Sequence, residues 1–347
     1  MKIGDRYIGE DNPCFIIAEL SANHNGDLNV AIETIRAAKK AGADAIKFQT
    51  YTQDTLTIDC NNEHFKIEGG TLWDGKTLYE LYGEAYTPWS WHKQLFEVAR
   101  EEGLICFSSP FDTTAVDFLE KLNVPAYKIA SFEIQDISLI AYTALKGKPI
   151  IISTGIAEEA DVQLAVDTCR KAGNNDIVLL KCTSSYPAPL ELANLNTIPD
   201  LKQRFKVEVG FSDHTYGFLA PTVAVTLGAK VIEKHFILDK SIGGPDADFS
   251  LDVSEFTEMV TKVRDTEKLL GIVSYEISDK VKNNKKFARS LFVCKNVKKG
   301  DTITKENIRS IRPGYGLHPK HYDELLGKKF SEDVQRGEPF NKNMVDE

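Results

Sequence analysis

No apolar run in this 347-residue chain approaches the ~18 residues that cross a bilayer. The opening Met1-Lys2-Ile3-Gly4-Asp5-Arg6 also lacks the apolar core of a signal peptide, so a cytoplasmic protein without a membrane segment is predicted. Basic residues are in deficit: 42 Lys and Arg against 51 Asp and Glu leave a formal charge of −9. That balance argues against broad binding to nucleic acid or an anionic surface, while leaving room for a local basic pocket. No CxxC pair occurs among Cys14, Cys60, Cys106, Cys169, Cys182 and Cys294. Buried, reduced thiols are therefore expected rather than a disulfide framework. A glycine-rich phosphate turn after the first candidate strand is missing as well, which disfavours an open dinucleotide-type sheet.

What is present is a rhythm of short apolar runs, each followed by a helical pattern. Candidate strands are Cys14–Ala18, Ala43–Phe48, Ile105–Ser108, Ala126–Ala130, Pro149–Ser153, Ile177–Lys181, Val207–Phe211 and Lys230–His235. Most are apolar on both faces, as parallel strands covered on both sides must be. Helical patterns cover Leu28–Ala41, Trp91–Glu102, Thr113–Leu122, Glu158–Ala172 and Phe218–Leu227, whereas Thr183–Phe205 is proline-rich and only partly helical. Eight such units over about 250 residues predict an α/β fold, a (β/α)8 TIM barrel, with an open doubly wound sheet as the alternative. Asp59–Thr77 breaks the rhythm with Asn61-Asn62, Gly69-Gly70 and Asp74-Gly75. It reads as an insertion after the second strand, either a lid over the active face or an inert excursion.

Composition changes near residue 279. The predicted division is a catalytic barrel over 1–279, a lysine-rich linker over 280–286 and a small β-rich domain over 287–347. From Lys286 onward 13 Lys or Arg face 9 Asp or Glu, so that stretch carries +4 and the remainder −13. A unit that small has a marginal core and is expected to dock on something.

Functional groups in a barrel come from the C-terminal ends of its strands. In order, those ends carry Glu19 and His24; Lys47 and Gln49; Ser109 and Phe111; Lys128 and Ser131; Ser153; Cys182, Ser184 and Tyr186; Ser212 and His214; and Glu233 and His235. Lys47 and Lys128 with several hydroxyls would suit a small molecule bearing a phosphate and a carboxylate. His214 and His235, on adjacent strands, could converge on one divalent metal and leave positions open for water and substrate oxygens. Glu19 could activate a metal-held water or act as a general acid or base. Taken singly, a strand-end histidine is more often a hydrogen-bonded structural group, and a strand-end lysine is as often a solvated end. Cys182 alone reads as core.

The motifs Ala18-Glu19-Leu20-Ser21-Ala22-Asn23-His24-Asn25-Gly26, Lys47-Phe48-Gln49, Tyr127-Lys128-Ile129-Ala130-Ser131, Ser153-Thr154-Gly155, Cys182-Thr183, Tyr186-Pro187, Ser212-Asp213-His214-Thr215 and Glu233-Lys234-His235-Phe236 resemble the sialic acid synthase family. The resemblance covers the whole chain, since residues 287–347 look like the antifreeze-like (SAF) domain of that family. It implies a transferase that condenses phosphoenolpyruvate with the open-chain aldehyde of an N-acetylated amino sugar and releases phosphate. By the same resemblance His214 and His235 are the metal ligands, usually for manganese, with magnesium or cobalt as alternatives. Lys47, Ser109, Lys128, Ser131, Ser153, Ser184 and Ser212 match phosphoenolpyruvate positions, Gln49, Tyr186 and Asp246 match positions near the sugar, and Phe111 joins that substrate site. Arg312 matches an arginine delivered to the partner's site in a domain-swapped homodimer. Departures include Gly244-Pro245-Asp246 without a following His-Lys pair, Ser184 in place of a usual Asn, and the Leu72-Trp73-Asp74-Gly75 insertion. These resemble the branch that makes pseudaminic acid from a 2,4-diacetamido-2,4,6-trideoxy-L-altrose, with the N-acetylneuraminic and legionaminic branches as alternatives. A metal-dependent barrel hydrolase and a non-enzymatic ice- or carbohydrate-binding module are the readings outside this family.

Overall fold

The computed structural model describes residues 1–9, 12–68, 70 and 73–346, in two compact units, Met1–Gly271 and Ile272–Glu347. Eight parallel strands form a closed barrel in the first unit: β1 (Phe15–Glu19), β2 (Ala45–Thr50), β3 (Ile105–Pro110), β4 (Tyr127–Ile129), β5 (Ile150–Ser153), β6 (Ile177–Cys182), β7 (Glu208–Asp213) and β8 (Val231–His235). Each pairs with its neighbour in sequence, and β8 closes onto β1 from Val231 opposite Phe15 to His235 opposite Glu19. The predicted strands coincide with these to within two or three residues at either end.

Alternation along the strands sorts two cores. Phe15, Ile17, Ala45, Phe107, Ile151, Leu180 and Val231 point inward and fill the barrel, together with Ile3 and Ile8. Ile3 closes a two-stranded hairpin, Lys2–Ile3 with Arg6–Tyr7, at the end of the barrel where the strands begin. Residues of the opposite parity, such as Ile16, Ile46, Tyr127, Ile152 and Phe211, pack against the surrounding helices. Side chains two apart share a face, so Ile17 and Glu19, or Val231 and Glu233, stack in successive inward layers.

The helices are α1 (Leu28–Lys40), α2 (Gln53–Leu56), α3 (Leu78–Ala85), α4 (Trp89–Glu101), α5 (Thr113–Lys121), α6 (Ile137–Ala144), α7 (Glu159–Lys171), α8 (Thr197–Phe205), α9 (Leu219–Thr226) and α10 (Val253–Leu270). Asp27 caps α1, and Ala31, Ile35 and Ala38 bury one stripe of it. Asp112 caps α5, and Asp252 with Glu255 forms a capping box on α10. The proline-rich stretch holds a short turn, Leu190–Leu192, before α8. In the 59–77 insertion, Lys66 bridges Thr77, while Gly69, Thr71 and Leu72 lie outside the described residues.

The second unit holds one antiparallel pair, β9 (Ser290–Val293) with β10 (Ile308–Ile311), around a core of Leu291, Val293, Ile308, Phe330 and Phe340. Single bridges such as Val297 to Val334 and Thr302 to Lys329 complete it. Turns every few residues keep regular strands short. The lysine-rich segment forms exposed helical turns, Asp279–Lys282 and Asn283–Phe287.

Candidate active site

The uppermost inward layer of the barrel is ionic where the layers beneath are apolar. Lys47 Nζ lies 2.8 Å from Glu19 Oε2 and donates to Ser109 Oγ at 3.2 Å. Lys128 Nζ donates to Ser153 Oγ at 2.7 Å. Glu233 joins the two lysines: its Oε1 is 3.7 Å from Lys47 Nζ and 3.6 Å from Lys128 Nζ, and accepts from Ser212 Oγ at 3.1 Å. All four charged side chains are buried. Burial works to lower the Lys47 ammonium, but the carboxylates of Glu19 and Glu233 outweigh it and raise its pKa. Burial lowers that of Lys128. Two cations over two anions, with hydroxyls beside each lysine, make a layer that an incoming anion can enter only by competing with the carboxylates.

Gln49, one pleat above Lys47, donates to Glu19 Oε1 at 3.0 Å and Ser21 Oγ at 2.9 Å. Beside it, Ser131 Oγ donates to Cys182 Sγ at 3.4 Å and accepts the Gly155 N–H at 3.2 Å. A Cβ on Gly155 would fall 2.1 Å from Ser184 Oγ and 2.6 Å from Ser131 Oγ, so only glycine leaves this hydroxyl cradle open.

His214 and His235 face one another with ring centroids 5.3 Å apart. His214 Nδ1 donates to Thr183 O at 3.0 Å, which leaves the Nε2 lone pair free. His235 Nδ1 is buried and makes no hydrogen bond, and Asp246 Oδ2 lies 3.9 Å from it. Burial holds the His235 imidazole neutral, its pKa well below the ordinary value. Tyr186 packs on His214 at 4.4 Å between centroids, and Phe249 on His235 at 4.9 Å. Among the described residues no group of three or more His, Cys, Asp or Glu side chains forms a metal cage. The donor set still fits a divalent metal held by two imidazoles, with the rest of its shell left to water and substrate.

Over this floor opens a cavity of about 230 Å³, bordered by Gln49, Phe111, Ser131, Tyr186, His235 and Asp246. A larger groove, about 600 Å³, lies between α7 and α8. Its Arg204 is already held by Asp200 and Glu159, and it includes neither histidine nor either strand-end carboxylate. Arg312 belongs to the second unit, where it is exposed.

The structure brings the barrel residues matched to substrate and metal to this one mouth or the layer beneath it, whereas His24 is buried with its Nε2 3.1 Å from Thr87 Oγ1 and its ring against Trp91. Glu233, already marked as a strand-end group, joins them in the ionic layer, two residues before His235 and of the same inward parity. Glu133 was not marked by any such signal. It ends the short turn Ser131–Glu133, borders the cavity, and leaves Oε2 buried without a partner. Burial pushes its carboxyl up to about 7.

A closed barrel with a paired-lysine floor, a two-histidine wall and a separate small β unit defines a two-unit (β/α)8-barrel protein with a small-molecule site at one mouth. The NeuB family matches residues 34–275, and a SAF domain matches residues 288–346. The chain belongs to the NeuB family. It is 53% identical over 342 residues to a pseudaminic acid synthase of Campylobacter jejuni, covering 99% of each chain. To the pseudaminic acid synthase of Helicobacter pylori it is 48% identical, covering 96% of this chain and 98% of that one. Among solved structures, the N-acetylneuraminic acid synthetase of Leptospira borgpetersenii in complex with citrate superposes with a TM-score of 0.73 at 32% identity, over 82% of this chain and 94% of that one.

Proposed function

We propose that this protein is a pseudaminic acid synthase, condensing phosphoenolpyruvate with 2,4-diacetamido-2,4,6-trideoxy-β-L-altropyranose to give pseudaminic acid and phosphate. The observation that carries the reading is that two buried lysines of the inward layer and two facing imidazoles share one barrel mouth. It joins a site for a small polyanion to a site for a carbonyl oxygen. Identity near 50% to two pseudaminic acid synthases, against 32% to the N-acetylneuraminic acid synthetase, supports the choice of sugar.

Lys47 and Lys128, with Ser109, Ser153, Ser212 and the Ser131–Ser184 cradle, would hold the phosphate and carboxylate of phosphoenolpyruvate, supplying orientation more than chemistry. Gln49, Tyr186, Asp246 and Phe111 would border the open-chain sugar. His214 and His235 would hold a divalent metal, manganese by family resemblance, which when bound polarises the aldehyde oxygen. C3 of phosphoenolpyruvate then forms the new bond to the aldehyde carbon, water adds at C2, and the tetrahedral adduct collapses with C–O cleavage to release phosphate. Glu19, the register partner of His235 and hydrogen-bonded by Gln49, would take a proton from that water. Glu133, a carboxyl that carries a proton near neutrality, is suited to give one to the developing alkoxide.

Residues 1–279 would form the catalytic domain, 280–286 the linker and 287–347 the antifreeze-like domain, which delivers Arg312 to a partner subunit in a domain-swapped homodimer. Ile272, Val273 and Tyr275, at 88, 92 and 97% exposure, favour a partner that covers them. Phosphoenolpyruvate is a cytoplasmic metabolite, which places the reaction there, and no described helix is long and apolar enough to cross a membrane. The test is phosphate release from phosphoenolpyruvate with the altrose derivative, N-acetylmannosamine and the legionaminic precursor side by side. Preference for the altrose derivative is expected, and turnover of N-acetylmannosamine alone overturns the reading.

A further inference from the structure

The turn that leaves β1 grips the loop that leaves β8. Residues 20–26 fold tightly, with the Asn23 N–H donating to Leu20 O at 3.0 Å and the Asn25 N–H to Ala22 O at 3.1 Å. Asn23 sits within that turn, wholly excluded from solvent. Its Nδ2 donates twice, to Phe236 O at 3.0 Å and to Ser250 Oγ at 2.8 Å. Ser250 Oγ in turn donates to Asp246 O at 2.6 Å. A carbonyl only accepts, so Phe236 O fixes which end of the amide is nitrogen. The Ser250 hydroxyl spends its one proton on Asp246 and accepts from Asn23. The donors thus run in one direction, from Asn23 through Ser250 to the Asp246 backbone. Phe236 follows His235, so a single side chain bonds both the end of β8 and the loop that carries Asp246.

We infer that Asn23 is a positioning residue, setting where the Asp246 carboxylate stands relative to the His235 imidazole. The inference rests on the proposed reaction, in which His235 serves the aldehyde oxygen and Asp246 borders the sugar. Asp246 Oδ2 stands 3.9 Å from His235 Nδ1. β8 does not fix that spacing by itself, because the loop between them runs through Gly243 and Gly244, both at positive φ. Other bonds reach the loop as well. The Ser21 hydroxyl and the Ala22 N–H, at 3.4 Å, bond the Asp246 carboxylate, and Asn25 Nδ2 donates to Ile242 O at 3.2 Å. All three come from the turn that Asn23 bonds to the end of β8. Trp73 Nε1 donates to Pro245 O at 3.1 Å, which ties the loop to the 59–77 insertion and not to His235. A displacement of about 1 Å at a reacting centre can cost roughly 100-fold in rate.

The experiment measures phosphate release at varied sugar for Asn23→Ala, which removes both donors, and for Ser250→Ala, which removes the link to Asp246. Having two variants, each checked by its thermal melt, keeps the test decisive if one misfolds. Each is expected to lower kcat/KM for the sugar by roughly 10- to 100-fold. KM for phosphoenolpyruvate and the manganese titration should stay unchanged, because the lysines and imidazoles are carried by strands and their ends. In an Asp246→Asn background the same substitutions should cost no more than about twofold, since their effect passes through the carboxylate already lost. Wild-type kcat/KM in a folded variant, losses that multiply with that of Asp246→Asn, or weakened manganese binding would each overturn this inference and leave the reaction standing. The sugar used is the one the wild-type protein turns over, so turnover of N-acetylmannosamine alone overturns the choice of sugar and not the role of Asn23. No phosphate release with any of the three sugars overturns the proposed reaction and this inference with it.

Discussion

Lys234 Nζ donates to Asp213 Oδ2 at 2.5 Å, and both side chains are wholly excluded from solvent. The two residues are register partners on β8 and β7, each adjacent in sequence to one of the facing histidines. Their parity is opposite to that of the inward layer, so the pair lies behind the site, between barrel and helices. Lys234 also donates to Thr215 O. It fixes the backbone positions from which His214 and His235 project.

Removing one partner of such a pair leaves a buried charge without compensation, which costs about 3–5 kcal/mol. Lys234→Met is therefore expected to lower the free energy of unfolding by that amount in a denaturant titration. Asp213→Asn combined with Lys234→Met should recover part of the loss. A single variant as stable as wild type would show that the pair contributes nothing.

His214→Ala and His235→Ala should each abolish metal-dependent phosphate release. Calorimetric titration with manganese should lose its binding heat, while the metal-free melting temperature stays close to wild type. Full activity in either variant would refute the two-imidazole metal site.

Glu233 supplies the negative charge shared by Lys47 and Lys128. Glu233→Gln should destabilise the ligand-free protein, because two buried ammoniums lose a counter-charge. Phosphoenolpyruvate, which restores that charge, should then raise the melting temperature by more than it does in wild type. An equal or smaller shift would mean that Glu233 does not occupy the anion's electrostatic place.

Glu133 carries a pH signature. Its carboxyl, ordinarily near 4.5, is pushed up to about 7 by burial. The folded protein therefore binds this proton more tightly than the unfolded chain. Below about pH 4.5 both states are protonated and there is no penalty, and the penalty grows as pH rises through 7. A shift of that size corresponds to roughly 3 kcal/mol. Glu133→Gln is neutral at every pH, so its stability relative to wild type should rise between pH 5 and 8. Parallel stability profiles across that range would contradict the assignment.

Much of the barrel was legible because alternation of apolar and polar residues is a sequence property. Ile17 before Glu19, Ala45 before Lys47 and Val231 before Glu233 already place a charge one pleat above an apolar layer. The same logic brought His214 and His235 to neighbouring strand ends. Glu133 was illegible because its exclusion from water depends on a short turn folding it beneath residues far away in sequence. Trp73 likewise reads as part of a glycine-rich excursion until its indole meets Pro245. α6 escaped notice because Ile137-Ser138-Leu139-Ile140-Ala141-Tyr142-Thr143-Ala144 is too uniformly apolar to show a helical stripe, and α8 because Pro199 interrupts its pattern.

The N-terminal hairpin makes the barrel blind at one end, since Ile3 and Ile8 pack among the lowest inward side chains. Traffic must then pass through a single door. Lys47 lies one pleat below Gln49, so a ligand gripped by the lysines rests underneath one that touches Gln49 and Tyr186. The lower guest must arrive first and is trapped until the upper one leaves. Under the proposed reaction the order of arrival is thus set by architecture: phosphoenolpyruvate before sugar, with initial-rate patterns of a compulsory queue.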